Sequence, residues 1–192
     1  MDHTEDLIRY GRLCHEHGLV IGAGGNISCR EGEHLFIKKK GADMSRASGS
    51  DYVRVPFTEL EAYLREGGKN KEAFPGLSSE VPLHAACYSQ SGDTGAVVHV
   101  HPPYTIAVAG KMSSLQDISY EFECILGGEV PVIGYLEPGS LELARAVAGE
   151  LAKGAGAVML RKHGAIAVGA CLEEAFLRVL ALERASITYL NS

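Results

Sequence analysis

Apolar positions along the chain change their period several times, and each change marks an element. Leu7, Ile8, Leu13 and Cys14 recur at helical spacing, with Thr4 placed to cap that helix and Gly18 suited to the left-handed position past its end. The following Ile21-Gly22-Ala23-Gly24-Gly25-Asn26 is too rich in glycine for regular structure. Short strand-like runs at 27–30 and 34–38, separated by Glu31-Gly32-Glu33, predict a hairpin. Residues 51–57 alternate apolar and polar as a half-buried strand does, and Thr58-Glu59-Leu60-Glu61 fits a capping box opening a helix to Arg65. A polar surface loop is expected over 66–77. Ser78-Ser79-Glu80 then opens a helix to Gln90, with Pro82 tolerated in its first turn.

Residues 96–101 (AVVHVH) read as a buried strand halted by Pro102-Pro103, with a helix over 104–109 and a strand over 129–135. Ser140 caps a helix whose apolar face holds Leu143, Ala144, Val147 and Leu151. Runs at 157–161 and 165–168 predict a hairpin turning at His163-Gly164, and a final helix covers 172–190. This order predicts an α/β fold: one layered domain over 1–192, with a mainly antiparallel central sheet flanked by helices.

Composition narrows the function. The 192 residues carry a net charge of −6, with no basic excess to neutralise a nucleic-acid backbone. No run approaches the roughly 20 apolar residues of a membrane span, and MDHTEDLIRYGRLCHEH is too polar for a signal peptide. Five scattered cysteines without a CxxC pair suit free thiols, so a cytoplasmic protein acting on a small molecule is expected, with neither membrane nor nucleic acid as partner.

The triplet His99-Val100-His101 carries the most chemical information. On a strand both imidazoles project from one face, about 6.6–6.8 Å apart at Cα, close enough to share one metal ion. Two hydrogen-bonded histidines at a strand end explain the triplet equally well. His163 sits at the end of another apolar strand, where Gly164 permits close approach, and with the pair it makes the three-histidine set of an open zinc site. Glu80, in the first turn of a helix, suits helix-end electrostatics, and His84 shares its face. Gly24-Gly25-Asn26 and Ser78-Ser79 offer backbone N–H groups, an amide and hydroxyls to an anion. The run Lys38-Lys39-Lys40-Gly41 reads as a solvated strand end, or as positive charge beside a phosphate. Tyr120 and Tyr135 are candidate proton donors.

Together these motifs resemble the class II aldolase/adducin family over nearly the whole chain, through residues 22–28 (GAGGNIS), 77–84 (LSSEVPLH), 96–101 (AVVHVH), 135–140, 162–168 (KHGAIAV) and 172–176. The resemblance implies zinc, one ion per subunit, on His99, His101 and His163, and the same donors also suit another divalent metal such as cobalt or manganese. It also implies that Glu80 is both a resting metal ligand and the acid/base, and that Gly25, Asn26, Gly41, Ser78 and Ser79 hold the substrate phosphate. Tyr120 is similar in position to a tyrosine that donates a proton into a neighbouring subunit's site, and the implied assembly is a homotetramer with sites between subunits. The implied reaction is retro-aldol cleavage of a fuculose-1-phosphate-like ketose 1-phosphate through a metal-stabilised enediolate. Alternatives on the same site are a decarboxylase of a 3-oxo-sugar-acid phosphate, a methylthioribulose-phosphate dehydratase and a 4-epimerase. A non-catalytic adducin-like module is the remote one. Lys40-Gly41 departs from the Thr- or Ser-Gly pair of the aldolases: Lys40 either strengthens phosphate binding in that loop or marks a different anion or a different use of the loop. The C-terminus is short beside some relatives, and His101-Pro102-Pro103-Tyr104 differs from the fuculose enzymes.

Overall fold

The computed structural model describes residues 3–67, 76–90 and 92–192. The strands are β1 (Asn26–Glu31), β2 (His34–Lys38), β3 (Tyr52–Pro56), β4 (Ala96–Val100), β5 (Ser114–Gln116), β6 (Glu129–Ile133), β7 (Ala157–Leu160) and β8 (Gly164–Gly169). The helices are α1 (His3–Glu16), α2 (Phe57–Arg65), α3 (Val81–Gln90), α4 (Pro103–Ala109), α5 (Tyr120–Leu126), α6 (Leu141–Leu151) and α7 (Leu172–Asn191). All the strands join one sheet in the order β3-β2-β1-β4-β8-β7-β6-β5. Every pairing is antiparallel except β6 with β7. The mainly antiparallel α/β sheet expected from the sequence is therefore present.

The central position of β4 explains its apolar run, since both faces are covered. Val98 and Val100 enter the core formed with α1, α4, α5 and α7, where Leu7, Val108, Phe122 and Val179 are buried. Val97 enters the opposite core with Leu60 of α2, Leu83 of α3 and Leu143 of α6. Full burial of each such side chain contributes roughly 1.5–3 kcal/mol, and the alternation fixes which face every β4 residue occupies. His99 shares the parity of Val97 and so lies on the side of α3.

Several local expectations fail for identifiable reasons. Thr4 does not cap the first helix, because α1 already includes His3. The capping box at Thr58 is absent: α2 begins at Phe57 behind Pro56, with no side-chain cap, and Phe57 and Leu60 are buried. Packing of Phe57 sets the start there. Glu80 is not in a helical turn; α3 begins at Val81, and the Glu80 carbonyl accepts from His84 N at 3.1 Å. The 51–57 strand is trimmed to β3 and the 129–135 strand to β6. Most of the loop expected over 66–77 lies outside the described residues.

Elsewhere the local signals hold. Gly18 adopts φ +70 past α1, and Ser140 Oγ accepts from Leu143 N to cap α6. Cys14, Cys29 and Cys87 are buried, Cys124 and Cys171 exposed, and all are free. No helix among the described residues is long and apolar enough to cross a membrane. Two elements, β5 and α5, are absent from the sequence reading. Ser119 Oγ caps α5 by accepting from Phe122 N at 3.1 Å, and Gly127 ends it with φ +79. Ser119, Phe122, Leu126 and Gly127 were the available signal.

The chain leaves β4 through His101 and enters α4 under tight control. Glu183 of α7, only 6% exposed, accepts from Tyr104 N (3.1 Å), Thr105 N (2.8 Å) and Thr105 Oγ1 (2.7 Å). This carboxylate satisfies the free N–H groups at the start of α4 and suits the positive end of the helix. It thereby fixes the segment directly after His101.

Candidate active site

His99, His101 and His163 converge at the end of the central strands. One nitrogen from each lies within 4.8 Å of the others, and ring centroids are 4.9, 4.8 and 5.3 Å apart. His99 is completely buried, and its Nδ1–H donates to the Ala165 carbonyl of β8 at 3.0 Å. A carbonyl only accepts, so the proton sits on Nδ1 and Nε2 presents its lone pair. His163 comes from the turn between β7 and β8, where Lys162 adopts φ 60 and His163 N donates to Leu160 O. Gly164 follows because a Cβ there would fall on the Val100 carbonyl and within 2.9 Å of His101 Cδ2. Without that glycine the His101 ring could not lie against β8.

The donor set fits a tetrahedral divalent ion. Nitrogens bound to one such ion at about 2.0–2.1 Å lie about 3.3–3.4 Å apart. His99 Nε2 and His101 Nε2 are 3.2 Å apart. Burial holds the His99 imidazole well below its usual range, with the neighbouring His101, His163 and His84 adding to the effect. Burial likewise lowers His101, with Lys38 contributing, and lowers His163 to about 4, with His101 contributing. All three rings are therefore neutral near pH 7, the form a metal requires.

Glu80 approaches this cluster without belonging to it. Its Oε1 is 3.9 Å from His163 Nε2, and its other oxygen is buried without a partner. Burial raises its proton affinity, and a backbone hydrogen bond from Gly139 partly offsets this. Beneath the cluster, Ser28 Oγ bonds His84 Nδ1 (2.7 Å) and Tyr88 OH (2.9 Å). His84 is buried and driven down to about 3 by burial first and the Lys38 charge second, so it is a neutral supporting group.

The anion candidates lie on three separate segments, of which the glycine loop lies beside His99. Asn26, 1% exposed, opens β1 directly opposite His99. Gly25 has φ +68, and a Cβ there would meet His99 O at 2.8 Å, so the glycine loop packs against β4 with no space for a side chain. Gly41 has φ +78 in the turn after β2, next to exposed Lys40. Ser78 Oγ accepts from Glu80 N at 3.3 Å, and the backbone of Ser79 lies close to Gly139. Buried polar atoms are seldom left unpartnered. Here both amide atoms of Asn26, Glu80 Oε2, His84 Nε2 and His163 Nδ1 are unpartnered, and Arg178 Nε is the only other such atom among the described residues. Such a concentration marks space built for polar ligand atoms.

Tyr120 is not brought to this site. It opens α5 with 83% of its surface exposed. Tyr135 is also exposed and bonds Glu137 instead. Lys38 was hidden in the sequence as part of a solvated run, yet it is only 2% exposed.

Comparison with known proteins decides the family. The profile described as Class II Aldolase and Adducin N-terminal domain matches residues 5–190. The chain belongs to this family. It is 28% identical over 189 residues to an L-fuculose phosphate aldolase of Methanococcus maripaludis, covering 96% of this chain and 97% of the relative. It is 26% identical over 176 residues to a 3-oxo-tetronate 4-phosphate decarboxylase of Haemophilus influenzae, covering 89% and 79%. The crystal structure of L-fuculose-1-phosphate aldolase from Thermus thermophilus superposes with a TM-score of 0.85 at 27% identity, covering 97% of this chain and 92% of that one. Membership in this class II aldolase family makes the chain a metal-dependent lyase of sugar-phosphate metabolism at the level of the family.

Proposed function

We propose that this protein is a zinc-dependent aldolase that cleaves a fuculose-1-phosphate-like ketose 1-phosphate to dihydroxyacetone phosphate and an aldehyde. What supports this most is the convergence of three neutral imidazoles beside a cluster of buried, unpartnered polar atoms. His99, His101 and His163 would hold a divalent metal, which would supply Lewis acidity where negative charge builds on the substrate. Asn26, Gly25, Gly41, Ser78 and Ser79 receive the phosphate, so that remote binding energy orients the bond to be broken.

In cleavage, the C4 hydroxyl loses its proton, the C3–C4 bond breaks and a carbonyl forms at C4. The electron pair passes to C3, where Glu80 delivers the proton. Its raised proton affinity suits this task, because the carboxyl then holds a proton closer to neutral pH. Tyr120 exchanges a proton with the C4 oxygen that becomes the aldehyde carbonyl, giving its own proton in the condensation direction. Its exposure of 83% supports a role reached across an interface, in a homotetramer with sites between subunits. A phosphorylated sugar substrate is consistent with a cytoplasmic location.

Decarboxylation of a 3-oxo-sugar-acid phosphate is the second reading, favoured by the Haemophilus influenzae relative. Incubation of the metal-loaded protein with a panel of phosphorylated sugars separates the two. Release of dihydroxyacetone phosphate from a ketose 1-phosphate is expected. Carbon dioxide from a 3-oxo-tetronate 4-phosphate, with no triose phosphate from any ketose, would replace the aldolase assignment.

A further inference from the structure

Helix α4 links the segments that deliver two of the three histidines. Its first residue, Pro103, stands two places after His101, and the helix packs on α7, β7 and β8. Each of its ends is held by a charge of the sign that suits the helix dipole. At the N-terminal end the buried Glu183 carboxylate accepts from Tyr104 N, Thr105 N and Thr105 Oγ1. At the C-terminal end the Arg161 guanidinium donates through Nε to Ala109 O at 3.0 Å and through Nη2 to Met112 O at 2.9 Å. Ala109 is the last residue of α4, where a carbonyl has no partner within the helix. Arg161 stands two places before His163, and its own N–H donates to Ile133 O at 3.0 Å.

The two rings beside these ties lack the support that His99 has. His99 is oriented by the Ala165 carbonyl. Among the described residues no hydrogen bond to a carbonyl orients the His101 or His163 ring, and His163 Nδ1 is buried without a partner. Their placement therefore depends on the backbone segments that carry them. A helix held at one end alone would pivot about that end and carry one ligand away from the other.

We propose that Glu183 and Arg161 are positioning residues of the metal site: they clamp α4 at both ends as a strut that sets the separation of His101 and His163. This rests on the metal-binding reading of the three histidines.

The probe is cobalt(II), titrated into the metal-free full chain, with visible absorption reporting both affinity and coordination. Glu183→Gln and Arg161→Gln are each expected to weaken binding about tenfold and to alter the cobalt spectrum, as loss of a group that supports a ligand does. Arg161→Lys keeps the charge at the end of α4 and should stay within about threefold of the wild type. The clamps lie about 10 Å apart along the helix, far enough for independent losses to multiply to about a hundredfold in the double variant. Because one strut carries both, the double variant is expected to lose only about thirtyfold or less.

Val147→Ala, which opens a cavity on the other face of the sheet from α4, lowers Tm and is expected to bind cobalt as the wild type does. Clamp variants with lowered Tm but wild-type cobalt affinity and spectrum would overturn the assignment. So would losses that multiply in full, or an equal loss in Val147→Ala. Should Glu183→Gln fail to fold, Arg161→Gln against Arg161→Lys still decides. Wild-type protein that takes up no cobalt removes the histidine site itself, whereas tight binding by every variant removes the clamp alone.

Discussion

Glu80→Gln is expected to lower turnover of the ketose 1-phosphate by about 10²–10⁴-fold, the usual contribution of a positioned proton-transfer group. The substitution keeps the shape of the side chain and an oxygen able to accept the Gly139 N–H. The Glu80 carbonyl still begins α3, since that contact is made by backbone. The backbone fixes the three histidines without the carboxylate: His99 is oriented by Ala165, His101 N donates to Leu19 O at 2.9 Å and His163 N to Leu160 O at 3.1 Å. The substitution thus removes only the 3.9 Å contact of Glu80 with the His163 ring. Metal content and phosphate affinity should therefore match the wild type while cleavage fails. Steady-state kinetics on metal-loaded protein, alongside elemental analysis and phosphate titration, give the three readouts. Near-normal cleavage by the variant would release Glu80 from proton transfer.

Gly164→Ala is expected to be the most damaging small substitution near the site. The new Cβ falls on the Val100 carbonyl, within the β4–β8 ladder, and also crowds His101 Cδ2 at 2.9 Å. Neither neighbour is the loose end of a flexible chain. Leu160 pairs with Gly164 on the other side, so β8 cannot slide away without losing two ladders. Overpacking of this kind costs about 3 kcal/mol, or a fall in Tm of about 6–12 °C for a chain of this size. The displaced His101 ring should also weaken metal binding. Gly149→Ala in α6 is the control, because no heavy atom lies within 4 Å of its would-be Cβ and alanine is the better helix former. Thermal melts of the metal-free proteins test the prediction, and a Gly164→Ala variant as stable as the wild type would contradict the packing described here.

How much of this was legible in the sequence depended on whether chemistry and period coincided. His99 and His101 were legible because a strand's two-residue period forces both to one face, and the flanking valines confirm the parity. His163 became meaningful only beside them. The position of Glu80 was approximate, since helix starts depend on burial: α3 waits for Val81, as α2 is set by Phe57 rather than by Thr58. Lys38 was illegible for a different reason. Three successive lysines look like a solvated edge, and no periodicity reveals that one ammonium turns inward to two loop carbonyls. Helix α5 escaped notice because only Phe122 and Leu126 of its residues are buried, too few to impose a helical period.

The central claim is that three histidines hold a metal. Elemental analysis of protein purified without chelators tests it most directly, beside the His99→Ala/His101→Ala double variant. About one divalent ion per chain is expected in the wild type, as three imidazoles and an open position would hold. The double variant should fold and carry none. Wild-type protein without metal even after reconstitution, or a double variant that retains a full complement, would contradict the account.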